Sequence, residues 1–108
     1  MDFNEYQNLA SRTANINASP HDRILYSCLG LTGEAGEFVD AYKKIVAHGH
    51  TMDEDKLKKE LGDVLWYLAD LCSNFGWSLD EVAKGNILKL AKRYPQAFNK
   101  KDSIDRKE

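Results

Sequence analysis

Apolar residues recur three and four positions apart through almost the whole chain, and no segment sustains the alternation of a half-buried strand. With prolines only at 20 and 95, this pattern predicts an all-α domain. Asp2 with Glu5 can cap a first helix from about 3 to 15. Ser19, followed by Pro20 and Asp22, opens a second that runs to about His48, where Gly49 stops it. Thr51 and Glu54 have capping-box spacing and open a third helix ending near Gly76; Ser78 and Glu81 open a fourth, closed before Pro95. Residues 1–98 therefore read as one domain, and 99–108, NKKDSIDRKE, as a charged, frayed tail.

Within the second helix, Leu31, Phe38, Tyr42 and Ile45 form one stripe; within the third, Leu57, Val64, Leu68 and Phe75 form another. Glu34 and Glu60 sit at the edges of these stripes, with Glu37 and Asp63 roughly 60° further round on the same side. Carboxylates this close to an apolar face are costly unless matched. None of the four has a Lys or Arg four residues later, the favourable orientation for a helical ion pair; Lys56 and Lys59 precede Glu60 and Asp63 in the weaker one. If the stripes pack together as an antiparallel pair, the acids converge at the edge of the core, where a shared cation competes with ordinary surface pairing as the explanation.

Composition narrows the classes. A chain of 108 residues, 43% hydrophobic and 30% charged with net charge -2, is expected to be one soluble globular domain without a basic field for duplex nucleic acid. The polar start MDFNEYQNLA and the lack of a long apolar run argue against a signal peptide or a membrane span, so cytoplasmic residence is expected. Cys28 and Cys72 lie on or beside apolar stripes and read as small buried hydrophobes. The HGH at 48–50 reads as an exposed turn before a metal ligand set.

Helix two also carries Gly30, Gly33 and Gly36, each costing on the order of 1 kcal/mol in a helix relative to Ala. Close helix packing explains such a run, as does room for a ligand beside Glu34 and Glu37. On helix four, Ala83, Ile87, Leu90 and Tyr94 make the stripe, while Asn86, Lys89 and Arg93 cluster on one flank, on the same rotational side as the acids. A solvated helix face explains these cations alone; beside carboxylates they suit a polyphosphate, with a hard cation on one side and cationic donors on the other.

Together GLTGEAGEF, KKELGDVLWYLADL and NILKLAKRYPQAF resemble the MazG-like nucleoside triphosphate pyrophosphohydrolases, also called all-α NTP pyrophosphatases, over about residues 24–98. The resemblance implies a four- to five-helix bundle, assembled as a homodimer or homotetramer with active sites near subunit contacts. It also implies Mg²⁺-dependent cleavage of an NTP or dNTP between the α and β phosphates, with Mn²⁺ able to substitute. Glu34, Glu37, Glu60 and Asp63 match acids of the family signature and become the expected metal-binding and catalytic residues. Asn86, Lys89, Arg93 and Tyr94 match its phosphate- and nucleotide-binding segment. Gly33 stands where the family has its first Glu, leaving the number of metal ions and the general base open. Phe3, Tyr6, Leu9, Trp66, Tyr67 and Trp77 remain candidates for base stacking, core or a dimer interface.

Two other classes compete. A ferritin-like di-iron bundle needs Glu-x-x-His, and no His here lies three residues after a Glu. A non-catalytic helical module that binds nucleotide or protein is kept in view by Gly33.

Overall fold

The computed structural model describes residues 1–107. It contains α1 (Phe3–Ala10), a 3₁₀ turn (Ser11–Thr13), α2 (Pro20–His48), α3 (Glu54–Phe75), α4 (Leu79–Arg93) and α5 (Lys100–Ile104), with no strand among the described residues. The all-α expectation holds.

Most boundaries follow local chemistry. Ser19 caps α2 by accepting from the Asp22 amide, with Pro20 in the first turn. Ser78 caps α4 in the same way from the Glu81 amide. Gly49 and Gly76 close α2 and α3 at φ 71° and 74°, the left-handed region where a Cβ is penalised. Beyond them, the His50 and Trp77 amides donate back to the carbonyls of Lys44 and Cys72.

Three local expectations need correction. The N-cap of α3 is Asp53, not Thr51: its carboxylate accepts from the Lys56 amide at 3.1 Å. Asp is at least as strong a cap as Thr, and it sits one residue before the helix. The first helix stops at Ala10 because Ser11 and Thr13 turn their hydroxyls onto the Asn8 and Ala10 carbonyls, drawing the chain into a 3₁₀ turn. In the tail, Asn99 caps a short helix, α5, by accepting from the Asp102 amide, an element beyond the four helices expected.

The dominant packing is α2 on α3. Their register is antiparallel: Ser27 bonds Asp70, Gly30 faces Tyr67, and Glu37 lies with Glu60. Gly30 has a specific packing reason, since an added Cβ would lie 2.2 Å from the Tyr67 ring; Gly33 and Gly36 look into open space. α1 is pinned across the α3–α4 junction by Gln7. Its amide nitrogen donates to Ser73 Oγ (3.1 Å) and the Trp77 carbonyl (2.9 Å), while its oxygen accepts from the Leu79 amide (2.9 Å). The small buried core of Ala69, Cys72 and Leu79 lies at this junction, with Tyr6, Ala10 and Leu65 against it.

Cys72 is buried as expected, but Cys28 is exposed, because the neighbouring Ser27 takes the α3-facing position and one residue further turns about 100° away. The expected stripes are covered only in part: Tyr42, Leu68, Phe75 and Ile87 stay exposed. A radius of gyration of 17.1 Å, against about 13 Å for a compact chain of this size, expresses the same openness.

Candidate metal centre

At the middle of the α2–α3 hairpin, Glu34, Glu37 and Glu60 each offer a carboxylate oxygen within 4.8 Å of the others. Helical spacing puts Glu34 and Glu37 on adjacent turns of α2, and the antiparallel register brings Glu60 of α3 opposite. Oε2 of Glu34 and Oε2 of Glu60 are buried without a donor. Asp63 is exposed and outside the close trio, yet its charge acts on Glu34 and on Tyr6.

The electrostatics follow from this crowding. The Glu34 carboxyl is pushed up to about 7, first by loss of surrounding water and then by the hydrogen bond it makes with Glu60 when protonated. The negative charges of Glu37 and Asp63 add to the rise. The Tyr6 phenol is also raised, by burial and then by Asp63, so α1 borders the same field. Clustered carboxylates with buried, donorless oxygens fit a hard divalent cation, which replaces mutual repulsion with attraction to all three side chains.

Beside the trio is a cavity of about 220 Å³ lined by Glu37 and Glu60 and, toward the α2–α3 loop, by Lys44, His50, Asp53 and Lys56. Lys44 is also paired with Asp40 at 3.0 Å. These basic residues were not singled out from the sequence as phosphate ligands. The available signal was spacing, since Lys56 lies four residues before Glu60.

Asn86, Lys89, Arg93 and Tyr94 do not line this cavity. Asn86 and Lys89 are exposed on α4, which packs mainly on α1 and α3. Arg93 lies 6.0 Å from the centre of the Tyr94 ring, and that ring packs on Phe98 at 5.3 Å. A single chain thus gathers three of the four acids closely and leaves the α4 segment apart. Of the aromatic candidates, Tyr6 joins the small core, Trp66 donates its indole N–H to the Ala10 carbonyl (3.2 Å) and Thr13 Oγ1 (3.0 Å), and Trp77 stacks on Phe75 at 4.5 Å.

An all-α chain whose longest helices form an antiparallel hairpin around clustered carboxylates defines the class. Residues 25–98 match the MazG nucleotide pyrophosphohydrolase domain, and the chain belongs to that family. It is also 35% identical over 96 residues to the Gene 37 protein of Mycobacterium phage L5, a match covering 82% of this chain and 84% of that protein. No solved structure matches it. Among the described residues, no helix is long and apolar enough to cross a membrane.

Proposed function

We propose that this protein is a Mg²⁺-dependent nucleoside triphosphate pyrophosphohydrolase that cleaves an NTP or dNTP between the α and β phosphates, giving the monophosphate and pyrophosphate. Control of a nucleotide pool is the matching cellular task. The observation that carries this reading is the trio Glu34, Glu37 and Glu60, with two buried oxygens lacking donors, in a chain of this family.

Glu34, Glu37 and Glu60 hold the cation, with Asp63 beside them. Bound Mg²⁺ supplies charge neutralisation for the phosphates and a more acidic water; Mn²⁺ offers the same preference for oxygen ligands. The protein's own residues set the direction of the substrate. The carboxylates occupy the middle of the groove, and Lys44 and Lys56 line its loop end, where they can offset charge on the β and γ phosphates.

Asn86, Lys89, Arg93 and Tyr94 complete phosphate and nucleotide binding from a second copy of the chain. The support is the uncovered apolar surface. Leu25, Leu29, Val39 and Val46 fall within an arc of about 100° on α2, and Leu29, Val39 and Val46 are 63%, 64% and 70% exposed. On α4, Ile87 and Leu88 are likewise exposed at 65% and 67%. Faces of this kind fit a homodimer or homotetramer better than an isolated chain.

The test is pyrophosphate release from a panel of NTPs and dNTPs with Mg²⁺, with EDTA, and with Glu37→Gln. Release that needs the metal and is lost in the variant supports the reading. No release from any nucleotide, from protein that still binds one, moves the assignment to the nucleotide-binding module that Gly33 keeps in view.

A further inference from the structure

A second cavity, of about 260 Å³, opens on the other side of the carboxylates from the lysine-lined one. It lies along the same hairpin groove. From Glu60 to Asp70 the rise along α3 is about 15 Å, with Tyr67 between them, so an extended molecule centred on the acids reaches both ends.

Its walls differ from those of the first cavity. Tyr26, Trp66 and Tyr67 supply aromatic surface, with Trp66 and Tyr67 set edge to face at 5.1 Å. Trp66 is held by its bonds to the 3₁₀ turn, and Tyr67 is wedged against Gly30. Ser27 and Asp70 line the same cavity although they are 2% and 9% exposed. The Ser27 hydroxyl donates to Asp70 Oδ2, and Asn74 Nδ2 donates to the same oxygen at 3.1 Å. Both bonds fall on Oδ2, leaving Oδ1 as an acceptor in a wall that carries three rings and, toward its rim, the polar Thr13, Asn15 and Arg23. A carboxylate can only accept, so the complementary group on a ligand is an N–H donor on a flat ring.

We propose that this cavity is the nucleobase subsite and that Asp70, positioned by Ser27 and Asn74, selects bases with an exocyclic amino group over uracil and thymine. The inference rests on the pyrophosphohydrolase reading for the direction of the substrate: base at the Ser27–Asp70 end, scissile phosphates at the carboxylates, pyrophosphate at the lysine end. Adenine and cytosine present an amino donor where thymine and uracil present a carbonyl oxygen, and guanine presents an amino group beside a ring N–H. Against the Asp70 carboxylate, an amino group makes a charge-assisted hydrogen bond, whereas a carbonyl brings two acceptors together, and the single ring N–H of uracil or thymine is flanked by two carbonyls that repel the carboxylate as it approaches. Buried polar sites of this kind discriminate more strongly than apolar pockets, because the wrong ligand leaves the site's own group unpaired.

The experiment compares kcat/KM for ATP, CTP, GTP, UTP and their deoxy counterparts, dTTP included, in the wild-type protein and in Asp70→Asn. Wild-type protein should favour amino-bearing bases by about 100-fold or more. Asp70→Asn keeps the shape and adds a donor, so the preference should shrink to within about tenfold, through loss on CTP and gain on UTP. A merely structural role would lower all substrates by a common factor, and that outcome overturns the proposal, as does equal use of CTP and UTP by wild type. Trp66 fluorescence in a Trp77→Phe background, titrated with CMP and UMP without metal, reads the subsite independently of turnover. A response to CMP and not to UMP supports the subsite even if no nucleotide is hydrolysed, a result that would sink only the catalytic reading; no response to either overturns it. Should Asp70→Asn not fold, Ser27→Ala with the same fluorescence titration takes its place, with weakened CMP binding expected and unchanged binding counting against the proposal.

Discussion

Two levels of the same hairpin treat buried carboxylate oxygen in opposite ways. Around Ser27 and Asp70, one carboxylate oxygen meets two donors, and the polar group is retained inside the helix interface with its hydrogen bonds made. Around Glu34 and Glu60, two or three turns along, carboxylates meet carboxylates and two buried oxygens have no donor. Asp70 is buried and Glu34 and Glu60 are half-buried, yet it is the more buried carboxylate that has its donors. The first level stabilises the hairpin through hydrogen bonds, and the second is left with uncompensated charge that a cation can neutralise.

The largest expected effect breaks the second level. Glu37→Gln or Glu60→Gln should lower Mg²⁺-dependent pyrophosphate release by about 10³-fold or more, with the helical circular dichroism unchanged, because a neutral amide is a poor ligand for a hard cation. Asp63→Asn is expected to lose turnover as well. Its smaller loss relative to Glu60→Gln would fit a residue outside the close trio; full activity in both Glu37→Gln and Asp63→Asn would sink the metal assignment.

Perturbing the first level should act on stability. Asp70→Ala leaves Ser27 and Asn74 without their acceptor and should cost about 2–3 kcal/mol in urea unfolding. Gly30→Ala forces a Cβ into the Tyr67 ring and should cost about 1–3 kcal/mol. Gly85→Ala, on an α4 position with nothing near the added carbon, should instead stabilise by about 1 kcal/mol. Equal effects of the two glycine substitutions would contradict the close approach of α2 and α3.

The contrast can also be titrated. The ordinary value for Glu34 is 4.5, and in the fold it rises to about 7, so the folded protein binds this proton more tightly than the unfolded chain. The associated stabilisation is complete below pH 4.5 and is lost as pH rises to about 7. The metal-free protein should therefore lose stability across that window, and Glu34→Gln should flatten the dependence. Mg²⁺ competes with the same proton, so calorimetry near pH 7 in buffers of different ionisation enthalpy should record proton release on binding. A midpoint with the same pH slope in wild type and variant would remove Glu34 from this role.

Local chemistry made much of the fold legible. The all-α class, the start of α2 at Ser19–Pro20, the glycine stops at 49 and 76 and the opening of α4 at Ser78 all depend on residues within one or two turns. The choice of Asp53 over Thr51 was harder, because two good caps compete within three residues and only one geometry survives. The acids were legible for a related reason: spacing of three within each helix fixes which side chains share a face, and the family motifs supported the same pairs.

Where α4 meets the rest of the molecule was not legible. Helical periodicity placed the α4 cations on the same rotational side as the acids, yet α4 packs mainly on α1 and α3, and those cations do not line the carboxylate cavity. The cavity's basic residues come instead from the ends of α2 and α3, and the Ser27–Asp70–Asn74 cluster joins residues more than forty apart, with the Ser27–Asp70 pair 43 positions apart in sequence. Sequence by itself determined where α2 and α4 begin, where α2 and α3 end and which acids lie side by side within each helix, because those depend on neighbours along the chain. Only the tertiary structure decided which oxygen finds a donor and which is left for a cation, since that depends on the register between helices, set by contacts such as Tyr67 against Gly30.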